Sequence, residues 1–281
     1  MGIQIVIDST TDLSAQAAQR VKVVPLTIHF GDREYVSGVD MDARTFYETL
    51  VSSKVLPTTS QPTPAAFADV FQKAVEAGDT VVCITISSKL SGTYQSASIA
   101  AEDFPGRVFV VDSQTVTLGC GILTEYALQL VDTGMEAQQL AETLQQQREK
   151  IHLLALLDTL EYLKKGGRIS PTVAFAGGLL NIKPVICVED GEVKLLGKAR
   201  GSKQGNSLLV QQIEKAGGVD FTRPVMLGYT GLSDELLQRY MVDSAPLWQG
   251  KENQLPVSII GSVVGTHAGP GAVAVAFFEA E

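Results

Sequence analysis

Residues 81–94 read Val-Val-Cys-Ile-Thr-Ile-Ser-Ser-Lys-Leu-Ser-Gly-Thr-Tyr, and this stretch carries the main signal of the fold class. The apolar run Val81 to Ile86 predicts a buried strand, and the polar run after it predicts a turn into a helix that extends to about Asp103. A continuously apolar strand followed by a helix is typical of a parallel sheet that is covered on both faces. The stretch therefore predicts an α/β architecture of alternating strands and helices.

Two other stretches repeat the order of an apolar strand and a polar turn. They are Ile3 to Ile7 followed by Asp8 to Asp12, and Arg107 to Val111 followed by Asp112 and Ser113. Because the carboxyl ends of parallel strands meet at one edge of a sheet, we expect these polar segments to lie together. Ligands bind at this edge in open α/β sheets, so the pattern predicts a ligand site there.

The chain changes character near Ile151, where hairpin signals begin to mix with crossover patterns. The sequence therefore predicts two domains. The first is an N-terminal parallel-sheet α/β/α domain over residues 1–150, with a small hairpin insertion near 27–40. The second is a C-terminal α+β domain with a mixed sheet over residues 151–281.

Composition and charge exclude several classes of protein. The chain has 281 residues, 45% of them hydrophobic, and a formal net charge of −9, which argues against broad nucleic-acid binding. No apolar run reaches the roughly 20 residues of a membrane helix, and the first residues lack a secretory signal. Cys83, Cys120 and Cys187 form no CxxC pair and no HExxH motif occurs, so we expect free thiols, a cytoplasmic location and no metal site.

Two clusters of hydroxyl side chains are candidates for a binding site. Thr58 to Ser60 lie on a predicted loop bracketed by prolines, and Ser91 to Thr93 lie where a strand passes into a helix. Each cluster alone is explained by helix capping and turns. Together at one sheet edge they gather O–H and N–H donors near a helix N-terminus, which suits a carboxylate or phosphate. The predicted ligand-binding residues here are Thr59, Ser60, Ser91 and Gly92.

The second half adds a histidine and two basic segments. His267 lies in Gly265 to Gly271, predicted as a Gly/Pro loop between two strands, where its ring either bonds the backbone or donates to an anion and changes charge near neutrality. The basic loops Lys164 to Arg168 and Lys198 to Lys203 are either solvated charge or groups that bind phosphate or an acidic partner. Finally, the run from Ser170-Pro171 to Leu180 is apolar on nearly every side, which predicts a buried helix.

The ordered set of these segments resembles the DegV family across almost the whole chain. The matching segments are Ile5-Val6-Ile7-Asp8-Ser9-Thr10-Thr11-Asp12-Leu13, Pro57-Thr58-Thr59-Ser60-Gln61-Pro62, Ile86-Ser87-Ser88-Lys89-Leu90-Ser91-Gly92-Thr93-Tyr94, Val110-Val111-Asp112-Ser113, Leu160-Glu161-Tyr162-Leu163-Lys164-Lys165-Gly166-Gly167-Arg168-Ile169, Lys183-Pro184-Val185-Ile186 and Gly265-Thr266-His267-Ala268-Gly269-Pro270-Gly271. The resemblance implies a two-domain protein that binds a long-chain fatty acid. It places the acyl chain in a hydrophobic tunnel of the second domain and the carboxylate at the domain interface.

The resemblance also implies residue roles and a partner. It assigns the carboxylate contacts to Thr59, Ser91 and His267, and it links Arg168 and Arg200 to phosphoryl transfer by, or docking to, a fatty-acid kinase. That kinase forms an acyl phosphate for phospholipid synthesis, so the protein itself is a carrier and no enzyme. The bound fatty acid is then its ligand, with no cofactor, and we expect a monomer or a weak dimer.

Two other classes of function stay open at this point. A serine hydrolase or acyltransferase would use Ser91 as the nucleophile, His267 as the base and Asp8 to orient the base, although the chain has no GxSxG elbow. A DNA-binding regulator fits poorly with the acidic charge. The glycine patterns of nucleotide-binding loops are absent from the sequence.

Overall fold

The structure is a computed structural model that describes residues 2–170, 181–251 and 254–280. Its strands are β1 (Ile3–Asp8), β2 (Val21–Val24), β3 (Thr27–Phe30), β4 (Arg33–Val36), β5 (Thr58–Ser60), β6 (Thr80–Thr85), β7 (Val108–Asp112), β8 (Ile151–Leu156), β9 (Ile182–Glu189), β10 (Glu192–Arg200), β11 (Met226–Tyr229), β12 (Val257–Ile259) and β13 (Val273–Phe278). Its helices are α1 (Ala15–Ala18), α2 (Ala43–Ser52), α3 (Pro64–Glu76), α4 (Thr93–Ala101), α5 (Leu118–Asp132), α6 (Ala137–Gln147), α7 (Glu161–Lys165), α8 (Gly201–Lys215), α9 (Glu235–Asp243), α10 (Ala245–Trp248) and α11 (Ser262–Ala268). None of the helices within these ranges has the length and apolar character needed to cross a bilayer.

The first half of the chain forms the predicted parallel sheet. Strands β2, β1, β6 and β7 lie side by side in that order, and each neighbouring pair runs parallel. Val81, Val82, Cys83 and Ile84 have no exposed surface, because helices cover both faces of the sheet. The prediction of an α/β fold with crossover helices is confirmed.

The carboxyl ends of these strands meet as predicted. The Asp8 carboxylate at the end of β1 accepts the backbone N–H of Ile86 at 2.7 Å. The Asp112 carboxylate at the end of β7 accepts the backbone N–H of Ser88 at 3.1 Å. Polar segments that are far apart in sequence therefore share one edge of the sheet.

The second half forms a mixed sheet, also as predicted. Its strand order is β10-β9-β8-β13-β11-β12, with antiparallel pairing except between β11 and β12. Helix α5 of the first half packs on β8, β11 and β13 of this sheet. The largest buried cluster accordingly joins residues such as Ile122 of the first half to Phe278 of the second.

A small third sheet extends the predicted hairpin insertion. Strands β3 and β4 form the hairpin, and β5 pairs with β3 in antiparallel register, with Thr59 opposite Ile28. The prediction of a loop over Thr58 to Ser60 is therefore wrong. The prolines at 57 and 62 flank this short edge strand, where no interior backbone hydrogen bond is lost.

Two further predictions in the second half need correction. The predicted strand from Val257 stops at Ile259, and helix α11 follows, so His267 lies in the last turn of a helix and not in a loop. The predicted basic loop at Lys198 to Lys203 is the end of β10 and the first turn of α8. The apolar helix predicted from Ser170-Pro171 to Leu180 lies outside the described residues, apart from Ser170 itself.

Candidate functional site

An apolar cavity lies between the parallel sheet, the six-stranded sheet and α11, with about 850 Å³ of space free of protein atoms when the part open to solvent is counted. Its apolar lining consists of Leu26, Ile86, Leu90, Val116, Leu153, Ala155, Leu157, Leu163, Ile186, Cys187, Val188, Val193, Ile260, Val263, Val264, Ala268, Ala272 and Ala274. Its polar and charged lining consists of Thr10, Thr59, Ser91, Thr117, Arg168 and His267. The cavity is therefore a site for a molecule that is largely apolar and carries a polar group.

The register of the six-stranded sheet explains why this space is open. Ala155 of the central strand β8 lies directly opposite Ala274 of β13 on one side and Ile186 of β9 on the other. Leucine and valine side chains on the opposite face, such as Leu154 and Val273, fill a separate core. The small alanine side chains leave the cavity face unfilled, and Ala155 keeps partial exposure in the middle of the sheet.

One polar part of the lining brings together two residues that are far apart in sequence. Thr59 Oγ1 of β5 lies 3.2 Å from His267 Nε2 of α11. Successive side chains of a strand point to opposite faces, and the hydroxyl of Ser60 accordingly bonds His29 Nε2 at 2.8 Å. Thr59 thus lines the cavity, whereas Ser60 is exposed and is not part of its lining.

Ser91 belongs to the same lining, at the junction between β6 and α4. Its Oγ lies 2.9 Å from Thr93 Oγ1 and faces the cavity. Gly92 is the N-cap residue of α4 and does not line the cavity. A Cβ atom at Gly92 would overlap the side chain of Gln61, so this glycine makes room for the amide that bonds Ser96.

Arg168 also reaches the cavity, from the end of α7. Its Nε donates to the carbonyl of Leu90 at 3.2 Å and its Nη1 donates to the carbonyl of Gly166 at 2.6 Å. These bonds connect the Ser91 segment to the residues around His267. Arg200 is exposed at the boundary of β10 and α8 and lies outside the lining, so the structure does not bring the two arginines together there.

The ring of His267 is uncharged in this environment. Burial first and the nearby charge of Arg168 second lower its pKa from 6.5 to about 4. The expectation of a charge change near neutrality is therefore wrong. A neutral imidazole donates one N–H, and Gly166 allows the close approach of the ring because a Cβ there would overlap Nδ1.

The structure does not assemble the serine-nucleophile arrangement of Ser91, His267 and Asp8. Among the described residues Nδ1 of His267 has no hydrogen-bond partner, so no carboxylate orients the ring. Both oxygens of Asp8 are engaged elsewhere, by Thr10 and by the N–H of Ile86. Over the described part of the chain no group of His, Cys, Asp or Glu side chains could hold a metal ion.

Sequence reasoning missed three residues at the site. Thr10 lies in the polar turn after β1, and its position at the shared sheet edge was the available signal. Thr117 lines the cavity with φ of +50°, an uncommon conformation for a β-branched residue. The sequence predicts Gly166 only as part of a basic loop, because its packing on His267 has no local sequence signal.

Fold and site together define an α/β protein with an apolar cavity whose lining carries hydroxyl, imidazole and guanidinium groups. Residues 2–280 match the family model described as "Uncharacterised protein, DegV family". The chain belongs to the DegV family, and the resemblance found in the sequence is confirmed.

Relatives and solved structures resemble the chain over nearly its full length. A DegV domain-containing protein of Deinococcus radiodurans is 39% identical, with 98% of each chain covered. The structure of a fatty-acid-binding DegV family protein from Thermus thermophilus has a TM-score of 0.86 at 34% identity, covering 99% of this chain and 100% of that one. A stearic acid-binding protein from Eubacterium ventriosum has a TM-score of 0.83 at 30% identity, covering 98% and 97%.

Proposed function

We propose that this protein binds one long-chain fatty acid and holds its carboxylate at Thr59, Ser91 and His267. The observation that carries the proposal is the apolar cavity that these three side chains and Arg168 line. The two similar structures from Thermus thermophilus and Eubacterium ventriosum are fatty-acid-binding proteins, which supports the same ligand class here.

The energetics favour an amphipathic ligand of this kind. Each buried methylene contributes about 0.8 kcal/mol before entropy costs, so a long acyl chain provides ample gross affinity. A carboxylate that leaves water needs hydrogen-bond donors immediately. Two hydroxyl groups, a neutral imidazole N–H and a guanidinium supply them, and the charge of Arg168 favours an anion over a neutral alcohol.

We further propose that the protein acts as a carrier that presents its fatty acid to a fatty-acid kinase. Acyl-phosphate formation then occurs on the partner, with Arg168 at the cavity and exposed Arg200 as the groups that meet the kinase or its phosphate. We also propose that residues 1–150 and 151–281 are separate domains, since each of the two larger sheets falls within one of these ranges. Most cavity-lining residues belong to the second range.

Mass spectrometry of lipid extracted from freshly purified protein tests the binding proposal. We expect long-chain fatty acid in the extract, and a delipidated sample should take up one equivalent per chain. An extract without fatty acid, combined with no uptake of added stearic acid, would refute fatty-acid binding.

A second experiment tests the carrier role separately. Loaded protein is mixed with ATP and a fatty-acid kinase, and acyl phosphate is trapped with hydroxylamine. We expect Arg200→Ala to keep the fatty acid and to lower the rate of acyl-phosphate formation. Equal rates for the variant and the native protein would remove Arg200 from the kinase contact.

A further inference from the structure

A half-buried carboxyl group joins the two halves of the chain beside elements that line the apolar cavity. Asp12 follows β1 by four residues, and its Oδ1 accepts the backbone N–H of Gly261 at 3.0 Å. Its Oδ2 accepts the hydroxyl of Thr117. The backbones of Thr11 and Thr117 also form an isolated parallel bridge. One side chain therefore ties the end of β1, the start of α5 and the start of α11 together.

Both groups that Asp12 bonds belong to elements that line the apolar cavity. This cavity, which we propose holds the acyl chain, is here called the acyl cavity. Gly261 is the N-cap residue of α11, and the other end of that short helix carries His267. Thr117 lines the cavity itself and is held at φ of +50°. A strained backbone persists only where the surroundings fix it, and the bonds to the Asp12 segment contribute to that constraint.

Asp12 itself does not line the acyl cavity. It lies in the lining of a second, separate cavity that also includes Ser37 and Gly261. The hydrogen bonds to Gly261 and Thr117 are therefore the side-chain contacts through which Asp12 can position groups of the acyl cavity.

We propose that Asp12 is a positioning residue for the headgroup site: its carboxylate fixes the start of α11 against Thr117 and so sets where His267 lies relative to Thr59. The proposal rests on the proposed function, because it assigns a role in binding the fatty-acid carboxylate. Two neighbouring hydrogen bonds hold the same end of α11. Tyr47 Oη donates to the carbonyl of Ile260 at 2.9 Å, and Ser37 Oγ lies 3.0 Å from Ser262 Oγ.

Asp12→Asn is the informative variant because it keeps the size of the side chain and removes its charge. The amide oxygen still accepts the N–H of Gly261, but the bond is no longer charge-assisted. At pH 8 the carboxyl is ionised, since its pKa is raised by burial to about 7. The titratable group that faces it from α2 is Tyr47, whose own pKa is raised by burial and by the Asp12 charge, so Tyr47 stays neutral at this pH.

A double-mutant cycle on the affinity for stearic acid at pH 8 tests the proposal. In the native background we expect Asp12→Asn to raise the Kd about tenfold, the loss that follows from weakening a hydrogen bond to a charged group. In a His267→Ala background we expect less than about a twofold change, because Asp12 then has no ring to position. An equal loss in both backgrounds, or no loss in either, would overturn the positioning role.

One control variant and one NMR measurement separate this role from a general effect on folding. Asp220→Asn removes a remote carboxylate that accepts the backbone N–H of Thr222 at 2.9 Å and the hydroxyl of the same residue at 2.6 Å. This substitution should leave both the Kd and the NMR signals of the His267 ring unchanged. Asp12→Asn should shift those NMR signals. Unshifted signals would contradict the proposal.

A second pair of variants keeps the test decisive if Asp12→Asn does not fold. Thr117→Val removes the hydroxyl and keeps the β-branch, and we expect the same loss in the native background alone. Thr117→Ser keeps the hydroxyl that Asp12 accepts, so it should lose less affinity than Thr117→Val. A native protein that takes up no stearic acid would refute the proposed function, whereas normal binding by all of these variants would refute only the role of Asp12.

Discussion

Thr59 and His267 are 208 residues apart in sequence, yet Oγ1 of the threonine lies 3.2 Å from Nε2 of the histidine. The contact forms because β5 pairs with the hairpin of the first half, while α11 packs on this small sheet from the second half. The proposed carboxylate site is thus assembled only when the two halves of the chain pack together.

Ser91→Ala should weaken fatty-acid binding without unfolding the protein. The substitution deletes one hydroxyl donor to a carboxylate, which corresponds to roughly a tenfold or larger rise in Kd. Isothermal titration of delipidated protein with stearic acid measures this change. Ser88→Ala, at an exposed position of the same loop, should bind like the native protein. An unchanged Kd for Ser91→Ala would remove Ser91 from the site.

Ala155→Leu should fill part of the cavity. The larger side chain enters empty space, so the free energy of unfolding of the ligand-free protein should be unchanged or higher by about 0.5–2 kcal/mol. The affinity for stearic acid should fall, because the acyl chain loses that space. Urea denaturation and titration measure the two effects.

Ala276→Leu provides the comparison for Ala155→Leu. Ala276 has no exposed surface and lies outside the cavity lining. Overpacking there should destabilise the protein by about 1–3 kcal/mol. If Ala155→Leu destabilised the protein as much as Ala276→Leu does, the space beside β8 would not be open.

The charge of Arg168 should be visible in the titration of His267. In the ligand-free protein we expect the pKa of the His267 ring near 4, because of burial first and of Arg168 second. Arg168→Gln should raise this pKa, while burial keeps it below 6.5. The folded state thus favours the neutral ring, and the resulting stability is lost as the pH falls from about 6.5 through about 4. NMR of the ring protons measures the titration.

Lys164→Gln is the control for that titration. Lys164 is an exposed cation of α7, and solvent screens its charge, so its removal should leave the pKa of His267 unchanged. A value near 6.5 in the native protein, or an equal pKa in native and Arg168→Gln protein, would contradict the electrostatic account of the site.

Asp12 should lower the free energy of unfolding as the pH rises, whereas most carboxylates raise it. Burial raises its pKa from 3.8 to about 7 despite the hydrogen bonds from Thr117 and Gly261. The folded state therefore binds this proton more tightly, and stability falls as the pH rises from about 4 to about 7, by at most about 4 kcal/mol. Asp12→Asn should be more stable than the native protein at pH 8, and the difference should shrink towards pH 5.

Asp220→Asn should behave in the opposite way in the same denaturant titrations. Burial raises the pKa of Asp220, but the bonds from Thr222 and the charge of Arg223 outweigh it, so the net pKa is lowered. Removing this carboxylate should therefore destabilise the protein at pH 8. If Asp12→Asn were also less stable than the native protein at pH 8, burial of the ionised Asp12 carboxylate would not lower the free energy of unfolding.

Local signals in the sequence predicted much of the fold. Thr63 with Pro64 marks the start of α3, and Asp42 caps α2 by accepting the N–H of Thr45 at 2.7 Å. These elements were predictable because capping and apolar runs act within a few residues of the chain. The separation of a parallel sheet from a mixed sheet followed from the same kind of pattern.

The errors arose where tertiary packing overrides local preference. The Gly/Pro-rich segment around His267 predicts a loop, yet α11 forms there and its Gly265 packs on α2, where a Cβ would lie 2.6 Å from Tyr47 Oη. The strand β5 exists only because β3 offers it an edge. The cavity itself depends on which alanines lie opposite each other on neighbouring strands, such as Ala155 and Ala274. The sequence does not show this strand register, which is known only from the structure.

A crystal structure of the protein loaded with stearic acid would show whether the carboxylate lies at the proposed headgroup site. We predict the carboxylate within about 2.7–3.2 Å of the polar atoms of Thr59, Ser91 and His267, with the acyl chain running past Ala155. Stearic acid bound on the surface, or in the cavity with its carboxylate directed away from these three side chains, would contradict the account.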